Sequence, residues 1–231
     1  MISLTNVTSF YGKTPILHGV SFSVDKGQCL CVLGRNGVGK TTLMQTIMGL
    51  TTMMKGQLVV DGVDMSARKT AERATAGLGY VPQGRRILGK FTVRENILLG
   101  TFARTDGKSV IPDVCLELFP YLRDNLDKKA GLLSGGQQQQ LAIARAIATD
   151  PKVLLLDEPT EGIQPNIVED IHRALEKLNR EMGITLILTE QHIKIAKAMS
   201  DKFIILDVGR IVGAGTSQEL TQEIIDKHLS I

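Results

Sequence analysis

The sequence predicts an α/β fold, with an antiparallel β subdomain at the N-terminus and a helical insertion of about residues 84–148. Three observations carry this. The first 65 residues are rich in strand patterns, the stretch 84–148 takes on helical spacing, and the last third carries three near-continuous apolar runs. At 231 residues and 43% hydrophobic side chains, the chain has enough apolar material for a sizeable core. Charged residues make up 22%, an ordinary globular share, so disorder is not expected. No low-complexity tract, internal repeat or long linker divides the chain, and residues 1–231 read as one domain.

Taken in order, residues 20–24 alternate Val20, Phe22 and Val24 with serines, as a half-buried strand does. Residues 57–60 run into Asp61 and Gly62, a strong hairpin-turn pair. Between them, 29–33 is a short apolar strand ending in a glycine-rich turn. The helix that follows, 40–48, stops at Gly49, a natural left-handed cap. Cys29 and Cys31 lie two apart and share one face of that strand. Three cysteines, an odd number, argue against a disulfide framework and read as core residues of a reducing compartment. Helical spacing then covers 92–101, 113–119 and 135–149, broken at Gly107, Pro112 and Pro120. The runs 152–156, 184–188 and 203–206 suit parallel strands buried on both faces, with helices between them.

Composition narrows the partners. The net charge is only +3, and the longest basic run is a pair such as Arg85 and Arg86. With no Trp and few Tyr or Phe there is no platform for stacking bases, so nucleic acid is not an expected partner. Residues 1–5 do not form a basic region followed by an apolar run, so no secretory leader is expected. No segment approaches the roughly 20 apolar residues of a membrane span. The expectation is a soluble chain, with any membrane connection made through a partner. His18, His172 and His228 have no clustered Cys, Asp or Glu at metal spacing and read as surface or core residues.

Chemistry is concentrated in three places. Gly34, Arg35, Asn36, Gly37, Val38, Gly39, Lys40 and Thr41 match G-x-x-x-x-G-K-[ST] between an expected strand and an expected helix. Glycines let backbone N–H groups close on phosphate oxygens, and the helix start adds partial positive charge. Lys40 can reach β- and γ-phosphates, and the Thr41 hydroxyl can ligate Mg²⁺. Second, the apolar strand 153–156 ends in Asp157 and Glu158, at the sheet edge where α/β ligands bind. Alone, that pair is common at helix starts. Following a phosphate loop, it assigns Asp157 to Mg²⁺ and Glu158 to polarising the attacking water. Third, Leu133, Ser134, Gly135, Gly136 and Gln137 open the helix of 138–146. Ser134 with Gln137 makes a capping box, which needs no double glycine; the glycines leave a bare helix start, a second anion site. Two such ends in one chain suggest ATP held between two copies.

In these motifs, their order and their spacing, the sequence resembles the P-loop NTPase domains of ABC transporters over nearly its whole length. That resemblance implies ATP and Mg²⁺ as ligands, and a nucleotide-sandwich dimer, either a homodimer or a pairing with a related ATPase subunit. Membrane permease subunits, and indirectly an external solute-binding protein, complete the implied assembly, which would hold the chain in the cytoplasm, peripheral on the inner face of the membrane. It places Tyr11 on adenine, Thr42 with the P-loop, and Gln83 on Mg²⁺ and the attacking water. Ser134, Gly135, Gly136 and Gln137 then contact the ATP of the partner copy. Glutamines 137–140, residues 81–86, and the Glu161, Gly162, Ile163, Gln164, Pro165 segment resemble the branched-chain amino-acid and amide uptake group. Within it, the likeness is to the second of the two ATPases of urea transporters. The expected function is an ATPase powering uptake of urea or short amides. The alternatives are a branched-chain amino-acid importer ATPase, or a nucleotide-sensing module with little hydrolysis.

Two departures stand out. Where most of the family has a histidine after the strand of 184–188, the alignment places Gln191, with His192 one residue late. Gln191 is the favoured γ-phosphate contact, able to donate a hydrogen bond but not to become cationic. The Ser-Ala-Leu-Asp segment of the family reads Glu161 to Gln164 here, in a stretch that crosses the dimer interface in relatives.

Overall fold

The computed structural model describes residues 1–191 and 193–229. His192 lies outside the described residues, and so does the side chain of His228.

The N-terminal strands are β1 (Ile2–Tyr11) and β2 (Thr14–Val24), then β3 (Cys29–Leu33), β4 (Met53–Val60) and β5 (Val63–Asp64), with α1 (Lys40–Met48) between β3 and β4. Four of them form an antiparallel sheet in the order β2-β1-β4-β5. Asp61 and Gly62 make its last turn with φ of 53° and 79°, the paired left-handed conformation of a tight hairpin. β1 is not legible as an alternating pattern, because register shifts interrupt it and Asn6 adopts a left-handed φ of 52°.

The second sheet holds β3 together with β6 (Leu78–Val81), β7 (Val153–Asp157), β8 (Thr185–Glu190), β9 (Lys202–Asp207) and β10 (Arg210–Thr216). Its order is β10-β9-β3-β8-β7-β6, parallel except for the β9–β10 hairpin. Helix α2 (Thr70–Thr75) leads into β6. Between β6 and β7 come α3 (Val93–Thr101), α4 (Asp113–Leu118), α5 (Pro120–Arg123) and α6 (Gly135–Ile147). Helices α7 (Pro165–Arg180), α8 (Ile193–Met199) and α9 (Gln222–His228) complete the chain.

Alternate residues of the parallel strands feed two cores. Leu30, Val32, Val153, Leu155, Ile187 and Ile204 pack with α1 and the antiparallel sheet. Cys29, Cys31, Leu33, Leu154, Leu156, Leu186 and Leu188 pack with α3, α6 and α7. Burial on both faces is why these strands read as continuous apolar runs. It also pushes the Cys29 thiol up to about 12, which fits inert core cysteines. The helices between β6 and β7 share this second core, through Val93, Ile97, Leu141 and Ile143. Helix α1 ends at Gly49 with φ 73°, and α3 starts at Thr92, whose hydroxyl accepts from the Glu95 N–H.

Candidate active site

Four parallel strands deliver their carboxyl ends to one edge: β3 runs into the glycine loop, β8 into Gln191, β7 into Asp157 and Glu158, and β6 into Gln83. In the loop, Gly34 has φ 153°, and a Cβ there would lie 2.5 Å from the Leu206 carbonyl oxygen. Gly39 precedes α1 with φ 113°; no side chain caps the helix and no acid occupies its first turn. The leading N–H groups of α1 are therefore left for an anion. Asn36, Gly37, Gly39, Lys40, Thr41 and Thr42 line a pocket of about 220 Å³, closed from the far side by Gln83 and Glu158. Gly34, Arg35 and Val38 shape the loop from behind: two carbonyls hold Lys40, and Val38 packs on the core.

Lys40 Nζ donates to Gly34 O at 2.8 Å and Arg35 O at 3.0 Å, and pairs with Glu158 Oε1 at 3.0 Å. The two side chains are only 4% and 7% exposed. Taking both charges out of water costs several kcal/mol per ion, so a buried pair is poor evidence for stability and better evidence for a task. Gln191 Nε2 joins the cluster, donating to Glu158 Oε1 at 3.0 Å and to Asn36 Oδ1 at 2.8 Å. Gln83 Nε2 donates to Glu158 Oε2 at 3.1 Å.

Neighbours on a strand point to opposite faces, yet Asp157 and Glu158 serve one site. A left-handed φ of 48° at Glu158 breaks the alternation, at a cost of about 1–3 kcal/mol. The Glu158 N–H donates to Thr189 Oγ1 at 2.8 Å, which holds the turn; the same hydroxyl donates to Asp157 Oδ1 at 2.9 Å. Burial raises the Asp157 carboxyl above its ordinary value. The Glu158 charge adds to this, while the Thr189 and Thr41 hydroxyls and Lys40 oppose it. Asp157 Oδ2 is buried with no hydrogen-bond partner. A buried, unpaired carboxylate oxygen close to the Thr41 hydroxyl, with the Gln83 amide oxygen in the same pocket as Thr41, offers oxygen donors suited to a hard divalent cation. No group of three or more His, Cys, Asp or Glu among the described residues could hold a metal by itself. The cation these residues fit is one that arrives with phosphate oxygens completing its shell, as Mg²⁺ does.

The remaining expected residues lie apart from this pocket. Tyr11 ends β1, 44% exposed, its hydroxyl bonded to Gln45 of α1. Ser134 is exposed and caps α6: its hydroxyl accepts from the Gln137 N–H at 3.3 Å, and Gln137 Oε1 accepts from the Ser134 N–H at 2.9 Å. A Cβ at Gly135 would meet the Arg85 guanidinium at 2.9 Å, and one at Gly136 would meet Ile167 at 2.8 Å. Residues 134–137 do not line the P-loop pocket.

A family model for the ABC transporter matches residues 17–161, a span holding the loop, the 134–137 segment and both carboxylates. The chain belongs to the ABC transporter family. It is 39% identical to the "high-affinity branched-chain amino acid transport ATP-binding protein BraG" of Pseudomonas aeruginosa, over 95% of this chain and 94% of that one. It is 34% identical to the "probable branched-chain amino acid transport ATP-binding protein LivF" of Archaeoglobus fulgidus, over 96% and 94%. Among solved structures, an ATP-binding cassette captured as a post-hydrolysis dimer with ADP and Pi superposes with a TM-score of 0.84. It is 28% identical, and the match covers 94% of this chain and 99% of that one.

The chain is accordingly an ATP-binding ABC ATPase. Two residues at its site escape a reading of the sequence as contributors there. Thr189, one place beyond an apolar run, ties the Asp157 carboxylate to the Glu158 backbone, and its only sequence signal is a polar residue at the catalytic sheet edge. Glu161 stands out in the sequence as a departure, without a role; its carboxylate accepts from Gln83 Nε2 at 2.9 Å.

Proposed function

We propose that this ABC ATPase powers an uptake system of the branched-chain amino-acid and amide group, with a branched-chain amino acid as the solute. The observation that carries the catalytic reading is the buried Lys40–Glu158 pair on the wall of a phosphate-sized pocket. The solute reading rests on the two relatives named for branched-chain amino-acid transport. A second reading, urea or a short amide, is favoured by the 137–140 and 161–165 segments.

In this reading the N–H groups of residues 34–42 cradle the phosphates, and Tyr11 stacks on adenine. Phosphate replaces Glu158 as the partner of Lys40, which frees the carboxylate. Glu158 then takes a proton from water as the water oxygen attacks Pγ in line, and the bond from Pγ to the β–γ bridging oxygen breaks. Gln191 donates to a γ-phosphate oxygen. Thr41, Asp157 and Gln83 would hold Mg²⁺, which supplies charge neutralisation for the β- and γ-oxygens. Ser134, Gly135, Gly136 and Gln137 of a second ATPase subunit, identical or related, cover the γ-phosphate from the other side.

The helices of 84–130 would grip the permease. A groove of about 370 Å³ between α2, β6, α3 and α6 carries the exposed Leu50 and Leu88 and fits such a contact. Among the described residues no helix is long and apolar enough to cross a membrane, so attachment to the inner membrane face would run through that permease. The single domain of 1–231 would act as one unit, with the 84–148 segment transmitting closure.

The test is phosphate release by the purified chain with Mg-ATP over a range of protein concentrations, beside Glu158→Gln. The expected result is turnover rising steeply with concentration, and a fall of at least about a hundredfold in the variant with ATP still bound. Unchanged hydrolysis in the variant would remove Glu158 from its role. Turnover strictly proportional to concentration would remove the self-paired sandwich.

A further inference from the structure

The segment after Glu158 departs from the Ser-Ala-Leu-Asp pattern of the family, and Glu161 within it makes a specific contact. Its Oε2 accepts from Gln83 Nε2 at 2.9 Å, while the same nitrogen donates to Glu158 Oε2 at 3.1 Å. A primary amide has two N–H bonds, so the two carboxylates use both. The Glu161 N–H donates to the Glu158 carbonyl at 3.3 Å, a tight turn that keeps the two acids side by side. Glu158 Oε1 is already taken by Lys40 and Gln191, which leaves Oε2 for Gln83.

The last torsion of a glutamine is broad, and one carboxylate would select the nitrogen end but leave the amide free to swing about that single hydrogen bond. Two acceptors on one turn fix it. The nitrogen faces the acids, and the carbonyl oxygen is turned away from them. An exposed carboxylate has little to gain from bonding a neutral amide in water, so the contact is better read as orientation than as stability.

We infer that Glu161 is a positioning residue for hydrolysis: it holds the Gln83 amide in the orientation that leaves its oxygen free for the cation and water at the γ-phosphate. This rests on the reading of Gln83 and Glu158 given above. It also gives a use to a side chain that the family pattern lacks.

A double-mutant cycle tests it. Glu161→Ala lowers kcat about tenfold, the scale of one hydrogen bond to a charged acceptor, and leaves ATP affinity within about twofold. On a Gln83→Ala background the same substitution changes kcat less than about twofold. Glu161→Gln, whose amide oxygen still accepts, recovers most of the loss. A second readout needs no nucleotide: the Gln83 side-chain amide signal in NMR, assigned by its disappearance in Gln83→Ala. Its exchange with water should quicken about tenfold in Glu161→Ala and stay near normal in Glu161→Gln. Equal kcat losses in both backgrounds, or unaltered amide exchange, overturn the inference while leaving the roles of Gln83 and Glu158 standing. Full turnover by Gln83→Ala alone overturns that underlying reading, and the inference falls with it.

Discussion

The P-loop and the start of α6 are both glycine-rich helix N-termini, yet they are finished differently. At the P-loop the opposing groups come from the same chain: Lys40 meets Glu158, and Gln191 and Gln83 complete the carboxylate. At α6 the Ser134–Gln137 box satisfies only its own backbone, the serine is exposed, and the Arg85 guanidinium lies over Gly135. A cation beside a helix N-terminus is electrostatically unfavourable unless an anion comes between them. The first site is organised in advance of its ligand. The second would be completed by an anion brought by another molecule, as the proposed sandwich would supply.

The largest effect expected from this contrast is at the complete site. Among the described residues, Lys40 is the only cationic side chain lining the P-loop pocket. In Lys40→Ala the phosphates face Glu158 with no opposing charge, and ATP affinity should fall at least about a hundredfold. Nucleotide titration measures it, with a thermal melt alongside, because an unpaired Glu158 costs about 3 kcal/mol of stability by itself. An unchanged affinity in a folded variant would mean the phosphates do not sit in this pocket.

At the unfinished site the prediction reverses the usual link between stability and activity. A Cβ at Gly135 meets only the flexible end of Arg85, so Gly135→Glu is tolerated by the fold. The new carboxylate lies at a helix N-terminus beside a guanidinium and should stabilise the chain by about 0.3–1 kcal/mol. ATP binding by the isolated chain should not change. Turnover should fall about a hundredfold, because the γ-phosphate held by a second subunit would now meet a like charge. A variant that melts higher and hydrolyses normally would show that residues 134–137 never approach nucleotide.

The same contrast explains what can be read from the sequence. The P-loop, the capping box at Ser134, helix α1 with its Gly49 cap, and the apolar strands are legible, since each is local in sequence and fixed by one physical requirement. Gln83, Glu158 and Gln191 can be named in advance, but their convergence on a single carboxylate cannot. It depends on the order β3-β8-β7-β6, which brings four distant loops to one edge. Strands β1 and β6 escape for local reasons. Bulges hide the alternation of β1, and β6 is four residues long with a glycine inside it. Thr189 is invisible because a threonine ending a strand has no periodicity to mark it.

The smallest expected effect probes the group that the P-loop side leaves unsatisfied, Asp157 Oδ2. The folded chain holds the Asp157 proton more tightly than the unfolded chain does, burial being the main cause. Its contribution to stability is therefore fully present below the unfolded carboxylate pKa and is lost as pH rises through the raised folded value. At neutral pH the buried charge is a cost in the absence of nucleotide. Asp157→Asn removes that charge and keeps an acceptor for Thr189. It should stabilise the nucleotide-free chain on the order of 1 kcal/mol at pH 7.5, or about 2–4 °C in Tm. The advantage should shrink as pH falls through the raised folded value, where the wild-type carboxylate takes up its proton, and vanish below the unfolded carboxylate pKa of about 3.9. Denaturant melts at the two pH values measure this, and ATP turnover of the variant should be lost throughout. A pH-independent gain, or none, would mean the buried carboxylate is already compensated without ligand, and the P-loop side would then need nothing more than phosphate to be complete.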